Sequence, residues 1–120
     1  MHEHDEIIHD QGYTKYILRH YVNKLGKERI WGLIQNNVFG PGALVLPFTR
    51  EHEVILERSY RIPLQGYVIE LPGGSNDVLG EESVDIAKRE LKEETGFING
   101  EYHLLCQETQ ESCTKNDILH

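Results

Sequence analysis

Residues 73–97 read GGSNDVLGEESVDIAKRELKEETGF. A glycine turn opens the stretch, and an acidic amphipathic helix follows it. Ser83 is placed to cap that helix, and Glu81, Glu82 and Asp85 suit the positive end of its dipole. Residues 84–95 contain no Gly or Pro and many good helix formers, among them Ala87, Glu90, Leu91 and Lys92. Gly96 supplies a left-handed stop, with Phe97 behind it to fold back on Leu91.

At about 100° per residue, Val84, Ala87 and Leu91 fall on one stripe with Thr95 beside them, and this stripe is predicted to face the core. Glu90 and Glu94 stand one turn apart on a neighbouring stripe, next to Glu93. Arg89 and Asp85 lie further round. Like charges at these spacings cost a helix about 0.2–0.5 kcal/mol per pair. The plain reading of such crowding is a solvated face, with Lys88, Arg89 and Lys92 offsetting the acids. The sharper reading is a site for a hard divalent cation. Such an ion takes carboxylate oxygens, keeps several waters and leaves room for phosphate oxygens.

The neighbouring residues favour the second reading. Arg89-Glu90-Leu91-x-Glu93-Glu94-x-Gly96-Phe97 resembles the REUxEExGU signature of the Nudix hydrolases, where U is a bulky apolar residue. Glu81 matches the acid that precedes it, and Leu71-Pro72-Gly73-Gly74 resembles the family's turn into the box. One residue more than the usual pattern separates Gly74 from Glu81. Loops tolerate single insertions, and the helical part of the signature is intact.

The resemblance implies an α+β fold: a mixed β-sheet with the box helix packed on it, an α/β/α sandwich abbreviated at its C-terminus, preceded by an N-terminal β-hairpin. It implies that Glu90 and Glu94 hold Mg²⁺ or Mn²⁺, with a backbone carbonyl of Gly73 or Gly74 completing the shell. Glu93 then binds a second ion or orients the attacking water, and Arg89 holds the helix to the loop through Glu81. Arg58-Ser59-Tyr60-Arg61 resembles a segment of the group that hydrolyses ADP-ribose and related nucleotide sugars, which makes Arg61 the better substrate contact and Arg58 the weaker. Arginines clamp phosphate through paired hydrogen bonds, whereas the plain reading of both is a surface salt bridge. Glu70, just before Leu-Pro-Gly-Gly, matches an acid that lies near substrate or metal in the same group. The general base is open: a box glutamate, or Glu108 or Glu111 on the loop after the box.

The function this implies is hydrolysis within the pyrophosphate of a nucleoside diphosphate derivative, ADP-ribose or a similar nucleotide sugar, giving a nucleoside monophosphate and a sugar phosphate. The alternatives are action on another nucleoside di- or triphosphate, and a Nudix-fold module that binds a nucleotide without cutting it.

Composition sets the outer bounds. A chain of 120 residues, 38% hydrophobic and 27% charged, suits a soluble globular protein of one domain, large enough for a single core. A net charge of −8 argues against nonspecific nucleic-acid binding, which needs cations against phosphates. No stretch is long and apolar enough to span a membrane, and the polar start HEHDE is unlike a signal peptide. Cys106 and Cys113 are too few for a disulfide framework or a zinc site and read as reduced thiols of a cytoplasmic protein.

Upstream of the box, residues 13–23 and 27–35 read as two strands of a hairpin. With 1–40 as an N-terminal unit and 41–120 as the Nudix domain, the hairpin is expected to build a homodimer, as it does in the ADP-ribose group. Trp31 reads as an ordinary packing residue, with an interface or adenine-stacking role the lesser reading. Residues 1–10, with His2, His4 and His9, read as a solvated terminus, with a metal site the lesser reading. Residues 43–48 read as a buried strand, 50–53 as a charged turn, 54–57 and 68–71 as strands, and 101–106 as a strand after the box. Residues 117–120 look like the start of another. No second helix follows, so the chain reads as a fragment, as a short fold, or as one completed by another subunit.

Overall fold

In a computed structural model the structure describes residues 2–109 and 118–119. The described chain gathers into two compact units, one taking in residues 2–38, 107–109 and 118, the other residues 39–106 and 119.

The first unit is a three-stranded antiparallel sheet of β1 (His2–Asp10), β2 (Thr14–Val22) and β3 (Glu28–Asn36) in that order. The two expected strands are β2 and β3. The terminus departs from expectation, because residues 2–10 form a strand. Polar side chains pair across the ladder in place of an apolar face. Arg19 forks onto Asp5 with both hydrogen bonds at 2.9 Å, and the rings of His4 and His20 stack at 4.2 Å. Opposite charges facing across a ladder each add a few tenths to about 1 kcal/mol. Ile17 and Leu33, register partners on β2 and β3, are the buried pair of this unit. Trp31 lies half-exposed on β3.

The second unit carries the box. β4 (Ala43–Leu44) pairs with β7 (Gly73–Gly74), and β5 (Glu57–Arg61) pairs with β6 (Gly66–Glu70), both antiparallel. A 3₁₀ turn at Ile62–Leu64 joins β5 to β6 and closes on Gln65 in the left-handed region. The helix α1 runs Ser83–Thr95. Short strands β8 (Glu108–Thr109) and β9 (Ile118–Leu119) follow.

Several expected boundaries move. The strand expected over residues 43–48 is only two residues long and is not buried throughout: Ala43, Val45 and Pro47 turn inward while Leu44, Leu46 and Phe48 face out. The turn at 50–53 forms, with His52 at φ 65°, but Val54 makes only an isolated bridge to Phe48. The strand therefore begins at Glu57 and contains Arg58 and Arg61 rather than ending before them. Residues 101–106 form no strand, and Leu104 and Leu105 stay exposed. Cys113, Glu111, Asp117 and His120 lie outside the described residues.

The helix shows the same mixture. Its N-cap is Glu82, not Ser83, and no side chain caps it. Ala87 and Leu91 are buried as expected, but the third core residue is Ile86, fully buried, and Val84 is exposed. The docked face is thus rotated toward the acidic stripe. Ile86 and Ala87 pack with Ala43 and Val45 into the core cluster, with Tyr102 against it. Gly96 ends the helix at φ 78°, its N–H donating to the carbonyl of Lys92. Phe97 remains half-exposed rather than folding back.

Candidate active site

Three elements carry the expected residues: the glycine strand β7, the helix α1 and the hairpin β5–β6. β7 brings the chain against α1 where only glycine fits. A Cβ on Gly74 would collide with the carboxyl end of Glu90, and one on Gly73 with the backbone of Ala43 and Leu44. Glu94 Oε2 accepts a hydrogen bond from the Gly73 N–H at 3.0 Å. Glu90 and Glu94 therefore both lie against the glycine turn.

Arg89 fastens the start of the box. Its Nε and Nη2 donate to the two carboxylate oxygens of Glu81, at 3.0 and 3.2 Å. Its Nη1 donates to Glu90 Oε1 at 2.6 Å and stands 3.6 Å from Glu93 Oε2. The bond to Glu81, then that to Glu90, raises the Arg89 pKa and keeps the guanidinium charged. Glu81 and Glu90 are largely covered, whereas Glu93 reaches solvent. The extra loop residue is absorbed outside the helix. The Asn76 side chain is buried and its Nδ2 donates to the Glu81 carbonyl at 3.2 Å, while its backbone carbonyl accepts from the Phe39 N–H and Gly80 turns at φ 82°.

The hairpin contributes a residue that sequence reasoning missed. Along β5, Glu57, Ser59 and Arg61 share one face and Arg58 and Tyr60 the other, since side chains alternate. Glu57 is the register partner of Glu70 and accepts a hydrogen bond from Ser59 Oγ at 3.0 Å. It also reaches Glu94. Burial first, then contact with Glu57 and the charges of Glu57 and Glu90, pushes the Glu94 carboxyl up to about 7, against a lowering by the Gly73 N–H. Only the period-two pattern Glu57-x-Ser59-x-Arg61 pointed to it, and that pattern does not say which face meets the helix.

Arg61 pairs with Glu70, its Nε 3.2 Å from Oε2 and its Nη2 in contact with Oε1. That bond raises its pKa, and the charges of Glu70, Glu57 and Glu94 add to it. Arg58 behaves differently, its guanidinium resting 3.9 Å above the Tyr67 ring. A cavity of 580 Å³ opens between hairpin and helix, lined in part by Glu57, Arg58, Ser59, Glu94, Thr95 and Phe97; Arg61 is not among its walls. Glu108 is exposed on β8, and Glu111 is outside the described residues.

Among the described residues no three His, Cys, Asp or Glu side chains close around one point as a ready-made cage. The donor set still suits a hard, partly hydrated cation, which takes one or two carboxylates and keeps waters. Glu94 sits among carboxylates with its own charge disfavoured, which is the environment a divalent cation relieves. Glu90, Glu94 and the adjoining glycine carbonyls are the groups able to hold one.

Comparison with known proteins agrees with this architecture. The chain matches the NUDIX domain family over residues 38–118. It is 36% identical over 86 residues to the ADP-ribose pyrophosphatase of Saccharomyces cerevisiae, covering 64% of this chain and 37% of that protein. It is 32% identical over 101 residues to the ADP-sugar pyrophosphatase of Mus musculus, covering 78% of this chain and 46% of that protein. The chain thus spans less than half the length of these relatives. A crystal structure of an ADP compounds hydrolase superposes with a TM-score of 0.83 at 21% identity, over 99% of this chain and 63% of the other, which shows the shared fold. With its box helix set on a glycine strand, its Arg89–Glu81 fork and a family match over most of its length, the chain belongs to the Nudix family.

Proposed function

We propose that the protein is a metal-dependent pyrophosphohydrolase of nucleoside diphosphate-linked substrates, with ADP-ribose or a similar nucleotide sugar the preferred class. The observation that carries this is the placement of Glu94 against the glycine turn beside Glu57 and Glu90, with its carboxyl pushed up to about 7. Relatives named for ADP-ribose and ADP-sugar hydrolysis support the substrate class.

Glu90 and Glu94, with the Gly74 carbonyl, would hold Mg²⁺ or Mn²⁺. Such a cation polarises phosphoryl oxygens and makes water a better nucleophile. The chain's own residues do the rest. Arg89 and Glu81 lock the start of the helix so that the carboxylates keep their spacing. Arg61, on the hairpin face that carries Glu57 and Glu70, meets the diphosphate by exchanging part of its bond with Glu70 for phosphate oxygens. Arg58, which lines the cavity beside Glu94 and rests on the Tyr67 ring, is the weaker phosphate contact. Glu70 holds Arg61 in position until substrate arrives. Glu93, the most exposed box acid beside Arg89, orients the attacking water or a second ion. The N-terminal sheet forms a homodimer.

Incubation with ADP-ribose and Mg²⁺, followed by separation of products, tests the reading. Release of AMP and ribose phosphate is expected, and Glu94→Gln abolishes it while circular dichroism stays unchanged. Tight binding without AMP release would instead assign the chain to nucleotide sensing.

A further inference from the structure

The helix that carries the carboxylates has a second polar face. Lys88 and Lys92 are each two residues from Glu90, so at about 100° per residue they project roughly 160° away from it. They line a separate cavity of 360 Å³, whose remaining walls are Ile98, Asn99, Gly100 and Tyr102. The chain carries 20 acidic and 12 basic residues, so acidic side chains are plentiful. Yet among the described residues neither lysine is ion-paired with a carboxylate, and Lys88 rests instead 5.6 Å above the Tyr102 ring. Lys92 is accounted for in part by the helix dipole, whose negative end it faces in the last turn. Lys88 is a turn further back, where that effect has faded. The loop below is shaped by Gly96 and by Asn99, both in the left-handed region at φ 78° and 62°. It brings the Asn99 amide, which offers both donor and acceptor, to the edge of a cavity floored by an apolar ring.

From this arrangement we infer that the far side of α1 is a second binding site, for a mononucleotide: a phosphate monoester that the two ammonium groups neutralise, attached to a flat ring that packs on Tyr102 and Ile98 while Asn99 meets its polar edge. The volume lies within the range of small-ligand sites, about 300–1,000 Å³. Two point charges without fixed geometry suit a terminal phosphate, which can rotate between them, better than a planar carboxylate.

The test is AMP titration of the full chain in EDTA, read by amide NMR, so that carboxylate-held cations make no contribution. The expected result is a saturable set of shifts at Asn99, Gly100 and Tyr102. Lys88→Gln with Lys92→Gln weakens binding by about tenfold or more, as expected for losing two charge-assisted contacts, while Glu94→Gln binds as the parent does. Inorganic phosphate and adenosine, each carrying half of the recognised groups, shift the same amides only at higher concentration than AMP does. Shifts confined to the Arg61 side, undiminished binding by the lysine variant, or no shift at millimolar AMP overturns the proposal. Both lysines are solvent-facing, so the variant keeps its fold, which its unshifted thermal midpoint verifies.

Discussion

Glu94, exposed overall but with its carboxyl partly desolvated against the glycine turn, adds one pH-dependent contribution to the stability of the metal-free chain. Its carboxyl titrates near 7 when folded against an ordinary 4.5, so between those values the folded state holds a proton that the unfolded state has released. Folding is then favoured below about 4.5 and loses this contribution as pH rises toward 7, the reverse of a salt-bridged acid. In EDTA the thermal midpoint of the parent is expected to fall across that window relative to Glu94→Gln, which carries no titrating group. Saturating Mg²⁺ should remove the difference in slope, since a cation favours the ionised form. Parallel curves for the two proteins would show that Glu94 does not carry a raised pKa. Arg89 gives a second expectation at this scale. Its fork onto Glu81 is partly buried, and removing it leaves Glu81 and Glu90 covered and unpaired. Arg89→Gln should cost about 1–3 kcal/mol in a denaturant titration, and more in activity than in folding, because Glu90 loses its orientation.

At the scale of elements, α1 depends on Ile86. It is fully buried and meets Ala43 and Val45 of the glycine-strand ladder. Ile86→Ala should cost about 2–5 kcal/mol, while Val84→Ala, at an exposed position, should change the chemical denaturation midpoint little. This contrast also shows what the sequence could tell. The helix and its acids were legible because the 3.6-residue repeat, the unbroken run 84–95 and Gly96 all agree. Which apolar residue docks was not, since Val84 and Ile86 flank the same stripe and only the position of β4 chooses between them. Strand β1 was hidden because HEHDEIIHD has a polar surface and gains its pairing from charges on β2, which no local pattern reveals. Residues 101–106 erred the other way, as Leu104 and Leu105 advertise a strand that finds no neighbour among the described residues. Glu57 was missed for a register reason: its importance comes from the helix across from it.

At the scale of the molecule, the sheet of the first unit bears on assembly. Tyr16 and Leu18 on β2 alternate with Ile17, and their partners Ile34 and Gly32 share their face together with Ile30. Tyr16, Ile30 and Ile34 remain exposed there, the Tyr16 ring lying over Gly32. Contiguous exposed apolar surface of this kind is characteristic of interaction sites. An isologous contact between two such sheets buries it twice for each residue spent, which is why twofold dimers are the commonest assemblies. Light scattering should then give twice the chain mass of 13.9 kDa for the parent. Ile30→Lys with Ile34→Lys should give a monomer with its secondary structure intact, because both positions face out and the buried pair Ile17–Leu33 is untouched. Trp31 points from the opposite face of β3, so Trp31→Ala should leave the mass unchanged. A parent that sizes as a monomer at high concentration removes the dimer, and a dimer disrupted by Trp31→Ala but not by the lysine pair moves the interface to the other face of the sheet.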